Sequence, residues 1–190
     1  LVERVRRLSN FDFDEGYVGS AAGNAKMSEY HAAVGLAQFA RLDLLRALAP
    51  RTAFLCTMAA NNESGVVSDI DGIAAVLEET ASPALWMVDC VQALGKIPVD
   101  VQALGVDYAS FSAHKLYGPK GIGALFVRRG THLAPLLHGG AQDRGRRPGT
   151  ENVAAAVGLA RAAELAVAHR EAEWARLESL RDRLEAAILA

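Results

Sequence analysis

The chain has 190 residues, 51% of them hydrophobic and 22% charged, a composition that can build one adequate core. A formal net charge of −2 and a pI near 6.2 leave no footprint for nucleic acid or an anionic membrane surface. No apolar run approaches the roughly 18–20 residues that span a bilayer, and two cysteines, Cys56 and Cys90, point to a reducing cytoplasmic setting rather than a disulfide framework.

In chain order, Leu1-Val2-Glu3-Arg4-Val5-Arg6-Arg7 carries no apolar signal region and reads as the inside of a longer protein. Residues 1–27 read as irregular, with turn formers at Asn10, Asp12, Asp14, Gly16, Gly19 and Gly23. Ser28 suits the cap of a helix to about Ala49, where Val34, Ala37, Leu42, Leu45 and Leu48 recur at helical spacing ahead of Pro50. Ala53 to Met58 is a short apolar run fit for a buried strand, and Asp69 to about Glu79 reads as a helix. Further buried strands are expected over Ala84–Val88, Tyr108–Ser112 and Gly123–Val127. Short runs apolar on both faces, alternating with helices, favour an α/β fold with a mainly parallel sheet. From Val153 to Ala190 the chain is alanine-rich and helical, as one long helix or two.

The densest chemistry lies between Asp89 and Lys115. An acid closes one apolar run, and a lysine follows another inside Ser112-Ala113-His114-Lys115. A pyridoxal phosphate (PLP) enzyme needs this set. A lysine amine must form a Schiff base with the cofactor aldehyde, and a carboxylate must keep the pyridine nitrogen protonated so that the ring becomes an electron sink. Hydroxyl and imidazole groups beside the lysine suit a phosphate. Lys115 is therefore the candidate, with Lys120, in the Gly118-Pro119-Lys120-Gly121 turn, as its rival. Asp89 stands where the carboxyl ends of parallel strands gather ligands. A buried carboxylate there calls for a cationic partner; its plainer role is to cap the next helix. A purely structural His114 and a simple Asn61-Asn62 turn are the corresponding plain readings.

Other chemistries fit poorly. Gly118-Pro119-Lys120-Gly121-Ile122-Gly123 lacks the spacing of a P-loop, the histidines and cysteines show no metal-ligand spacing, and no Gly-x-Ser-x-Gly elbow occurs. Both cysteines read as buried small apolar side chains.

Asn61-Asn62-Glu63-Ser64-Gly65, Val88-Asp89-Cys90-Val91-Gln92-Ala93, Ser112-Ala113-His114-Lys115-Leu116-Tyr117-Gly118-Pro119-Lys120-Gly121, His138-Gly139-Gly140 and Gly149-Thr150-Glu151-Asn152 occur in that order. Together they resemble the cysteine desulfurases, in the class V branch of the PLP aminotransferase superfamily, over about residues 46–190. The resemblance implies the large-domain core of PLP fold-type I, incomplete relative to the family. It implies conversion of L-cysteine to alanine, with sulfur passing to an enzyme persulfide for iron–sulfur cluster or thio-cofactor supply. It also implies a cytoplasmic homodimer and a sulfur-acceptor protein. Lys115 then takes the catalytic role and Asp89 the pyridine nitrogen. Gln92 takes the cofactor's phenolic oxygen, Ser112 and His114 its phosphate, and Asn62 the substrate carboxylate and cofactor. Thr150 reaches the phosphate of the neighbouring subunit, although Pro148 stands where the family usually has serine.

Residues 1–45 depart from that pattern. Asn24 to Ala37 resembles a segment of the sugar-nucleotide aminotransferases, PLP enzymes of the same fold in which it follows the catalytic lysine. Asn24 then matches, weakly, a phosphate-binding asparagine of that family. Here the segment precedes Lys115, so the chain looks like a hybrid with a junction between Leu42 and Leu48. The organisation expected is thus 1–45, a PLP-binding core over 46–166 and a C-terminal helix over 167–190. The desulfurases' upstream phosphate cup, ring-stacking histidine, loop cysteine and carboxylate-binding arginine have no counterpart in the sequence. Another class V enzyme, such as an aminotransferase or selenocysteine lyase, therefore stays open, as does a non-catalytic fragment or hybrid that only binds PLP.

Overall fold

The computed structural model describes residues 13–14, 17–18, 42–43 and 45–189. They fall into two units, Leu1–Leu55 with Ala60–Ala84, and Cys56–Ala59 with Leu85–Ala190.

In the first unit, β1 (Phe13–Asp14) pairs antiparallel with β2 (Tyr17–Val18), Phe13 opposite Val18 and Asp14 opposite Tyr17. These four residues depart from the irregular 1–27 expected, because two-residue strands are too short to show an alternating pattern, and the rest of that stretch lies outside the described residues. Most of the helix expected from Ser28, together with Asn24, lies outside the described residues. Its last part, 42–43 and 45–48, is helical and tightens into a 3-10 turn over Ala49–Arg51 that contains Pro50. Helix α1 (Ile70–Glu79) starts where Asp69 accepts a hydrogen bond from the Gly72 N–H at 2.8 Å, and it buries Ile70 and Val76.

The sheet has the order β3 (Phe54–Met58), β4 (Leu85–Asp89), β5 (Tyr108–Ser112), β6 (Gly123–Val127). β4 and β5 run parallel, with Asp89 level with Ser110, whereas β6 runs antiparallel to β5, with Gly123 level with Ser112. The sheet is the mainly parallel one expected, with β6 reversed; an apolar run reveals a strand but not its direction. The core centres on Trp86, Val88, Val106 and Ala109, and the indole N–H of Trp86 finds Thr57 Oγ1 at 2.9 Å. The outer strands are less covered than expected. Cys56, read as buried, is exposed on β3, the strand that ends the sheet.

Helices α2 (Val153–Ala168) and α3 (Arg170–Leu189) follow, separated at His169. Asn152 caps α2 by accepting from the Ala155 N–H at 3.1 Å. No helix among the described residues is long and apolar enough to cross a membrane.

Candidate active site

Adjacent parallel strands bring their carboxyl ends out on one side of a sheet. Asp89 is the last residue of β4, and Ser112, two residues past Asp89's partner Ser110, ends β5. Oδ1 of Asp89 accepts from the Val91 N–H at 2.9 Å and from the Ser110 hydroxyl at 3.2 Å. No hydrogen bond from the described residues reaches Oδ2. One carboxylate oxygen thus organises the turn, as the plain capping reading requires, while the other has no partner among the described residues.

Two successive hydrogen-bonded turns follow, with Gly95 left-handed at φ +74° in the second. The N–H of Leu94 bonds the Cys90 carbonyl at 3.1 Å and that of Ile97 bonds the Ala93 carbonyl at 2.9 Å. Across Gly95, Lys96 Nζ donates to Gln92 Oε1 at 3.5 Å.

Beyond β5, Ala113–Leu116 forms a 3-10 turn that buries Ala113 and Leu116 and exposes His114 and Lys115. Ser112 Oγ and His114 Nδ1 lie 2.7 Å apart. Tyr117, left-handed at φ +62°, ends the turn, and the Gly118 N–H bonds back to the Ala113 carbonyl at 2.9 Å.

Small residues on α2 seat this loop. A Cβ at Gly118 would stand 3.1 Å from those of both Ala113 and Ala162, and one at Gly158 would stand 2.6 Å from Pro119 Cγ. Gly95, at φ +74°, lies so close that a Cβ there would meet Ala166 Cβ at 2.5 Å and Leu116 Cδ2 at 3.3 Å. Helix and lysine loop therefore touch through absent side chains.

Electrostatics link the two turns. Desolvation lowers the pKa of Lys96, and the positive charge of Lys115 lowers it further, so the ammonium groups sense each other even though Lys96 is largely exposed. Burial pushes the Cys90 thiol up to about 11, with the charge of Asp89 adding to the effect. Cys90 is thus buried, as expected, and neutral near pH 7. No cluster of metal-ligating residues occurs among the described residues.

Asn62 and Thr150 complete the candidates. Asn62 is exposed in the first unit at a turn that its neighbour organises: Asn61 Oδ1 accepts from the N–H groups of Glu63 and Ser64 at 3.0 and 2.9 Å. Thr150 is exposed just after Gly149, which is at φ +108° and donates its N–H to Gln142 Oε1 at 3.2 Å. Sequence reasoning passed over Ser110 and Lys96. Ser110 needs the strand register and Lys96 the turn at Gly95, neither of which a run of residues displays.

The aminotransferase class V family model matches residues 32–190 and begins inside the segment that resembles the sugar-nucleotide aminotransferases. A cysteine desulfurase of Gluconacetobacter diazotrophicus is 50% identical over 159 residues, 82% of this chain and 39% of its own length. The cysteine desulfurase IscS of Dictyoglomus turgidum is 46% identical over 140 residues, 74% of this chain and 35% of its own. Among solved structures, a NifS-like protein superposes with a TM-score of 0.75 at 42% identity, over 78% of this chain and 41% of that one. DndA from Streptomyces lividans gives 0.67 at 36%, over 75% and 41%. The chain thus spans about two fifths of the length of these relatives. The likenesses bear out both the resemblance to the cysteine desulfurases and the incomplete PLP fold-type I core. With the family model covering all but the first 31 residues, the chain belongs to the aminotransferase class V family, a family of PLP enzymes.

Proposed function

We propose that this chain carries the lysine-and-carboxylate part of the PLP site of a cysteine desulfurase, which takes sulfur from L-cysteine, leaves alanine, and passes the sulfur on through an enzyme persulfide toward iron–sulfur cluster or thio-cofactor supply. One observation carries the reading: Asp89, whose Oδ2 has no partner among the described residues, ends one of two adjacent parallel strands and the exposed Lys115 follows the other, in a chain 50% identical over 159 residues to a cysteine desulfurase. The donor set fits PLP, offering a carboxylate oxygen, an amine, and the Ser112–His114 hydroxyl and imidazole.

When bound, PLP supplies an electron sink for the pair released at the substrate's α-carbon. The chain's own residues do the rest. Asp89 Oδ2 would hold the pyridinium proton while Oδ1, fixed by Val91 and Ser110, keeps the carboxylate from turning. Ser112 and His114 hold the phosphate, and Gln92 donates to the phenolic oxygen. Lys115 would hold the cofactor through its amine and would move a proton at the substrate's α-carbon. In a homodimer Thr150 reaches the neighbouring phosphate, through a loop that Pro148 stiffens. Asn62 serves the substrate carboxylate. Two free cysteines suit a cytoplasmic setting.

Cys90, buried with its thiol held neutral, does not take the sulfur. That observation favours a second reading for this stretch by itself, cofactor binding without sulfur transfer. Titrating the chain with PLP while recording visible absorbance tests the site. Wild type and Lys120→Ala should develop a protein-bound band that Lys115→Ala lacks. An equal band in Lys115→Ala would overturn the reading.

A further inference from the structure

We infer that Lys96 is a positioning residue. Its ammonium holds the Gln92 carboxamide with Oε1 turned toward it and leaves the two N–H donors of Nε2 as the face Gln92 offers a ligand. That the ligand is PLP rests on the reading above.

The turn hydrogen bonds from Leu94 to Cys90 and from Ile97 to Ala93, with Gly95 left-handed at φ +74° between Gln92 and Lys96, shape the backbone across which the two side chains meet. Gly95, pressed against Ala166 of α2, fixes the turn in place. The Nζ–Oε1 separation is 3.5 Å. An ammonium only donates, so it distinguishes the two ends of an amide that are otherwise equal in shape. The flipped amide would set NH2 against NH3+ and lose the bond. Among the described residues no acceptor engages Nε2.

The charged groups around Lys96 are Lys115 and, lining the same groove with Ile97, Pro98 and Trp174, Arg170 and Glu171. The consequence is a polarity. A Gln92 that only donates favours the deprotonated phenolic oxygen of PLP, whereas one that accepts would favour the protonated form. Lys96 thereby sets the direction of a cofactor hydrogen bond without touching the cofactor.

The test uses the full chain carrying Lys96→Met or Lys96→Arg, each with Gln92 and with Gln92→Leu. Without cofactor, Lys96→Met should displace the Gln92 side-chain amide resonances and Lys96→Arg should restore them. With PLP loaded, Lys96→Met should raise the pH midpoint of the visible band by about 0.5–1 unit, three- to tenfold in proton affinity, the size of one hydrogen bond. Lys96→Arg should stay near wild type, and in the Gln92→Leu background Lys96→Met should have no effect. Unmoved amide resonances overturn the inference. So does a midpoint shift that persists in Gln92→Leu, which would mark a bare charge effect. Failure of the wild type to load PLP would sink the cofactor reading instead, and the cofactor-free resonances would then decide the role of Lys96 alone.

Discussion

Gly95→Ala probes the seat of the lysine turn on α2. The substitution carries two costs. At φ +74° a residue with a Cβ is in the left-handed region, which costs roughly 1–2 kcal/mol. The new methyl would also stand 2.5 Å from Ala166 Cβ and 3.3 Å from Leu116 Cδ2, well inside contact distance. Overpacking of that kind costs about 1–3 kcal/mol. The sum, about 2–5 kcal/mol, is a large part of a typical total stability of about 5–15 kcal/mol. Gly121→Ala supplies the control, since its φ is +82° but nothing lies within 4 Å of the added Cβ. It should lose only the first, backbone cost. Urea unfolding followed by circular dichroism measures both variants, and PLP titration shows whether the Lys115 loop has moved. Ala166→Gly should recover part of the loss in the Gly95→Ala background, less the roughly 1 kcal/mol that glycine costs in a helix. Equal losses for Gly95→Ala and Gly121→Ala, or no recovery with Ala166→Gly, would refute the packing argument.

Asp89→Asn should keep the Val91 and Ser110 hydrogen bonds through its amide oxygen and still load PLP. Removing an opposite charge moves a pKa by about 1–3 units, so α-proton exchange of an amino acid in D2O by the loaded chain should slow by about ten- to a thousandfold. Unchanged exchange would refute the pairing. At neutral pH a thiol reagent should modify the exposed Cys56 and spare Cys90 until denaturant is added. The Cys90 pKa is raised from its ordinary 9.0 to about 11, so its contribution to stability is complete below pH 9 and is lost as pH rises through 11. Cys90→Ala should flatten that alkaline slope; an unchanged slope would count against the burial argument. Sulfide release from L-cysteine by the loaded chain should stay near that of free PLP, with or without Cys56→Ser. A rate well above free PLP that the serine variant abolishes would show Cys56 to be a nucleophile.

The sequence discloses what depends on local pattern. β5 and β6 fall on their apolar runs because a glycine or a polar turn bounds each one. α1 begins at Asp69 because a carboxylate ahead of an apolar run is a capping signal. Direction, edge position and register are relations between strands, so the antiparallel β6, the exposed Cys56 and the Ser110–Asp89 hydrogen bond were not legible. The break at His169 was left open as one helix or two because an alanine-rich run is helical on either side of it. For the site, Lys115 and the Ser112–His114 pair are contiguous in sequence, and the structure sets them in one turn. The seating of that turn against Gly95, Gly118 and Gly158 was hidden, because a glycine does not announce which residue fills the space it leaves.

Borohydride reduction of the PLP-treated chain, followed by peptide mass mapping, decides whether Lys115 is the cofactor lysine. The pyridoxyl group should appear on the peptide that carries Lys115, with Lys96 and Lys120 unlabelled, and the label should vanish in Lys115→Ala. A label on Lys120 or Lys96, or one spread over several lysines, would contradict the assignment of this site.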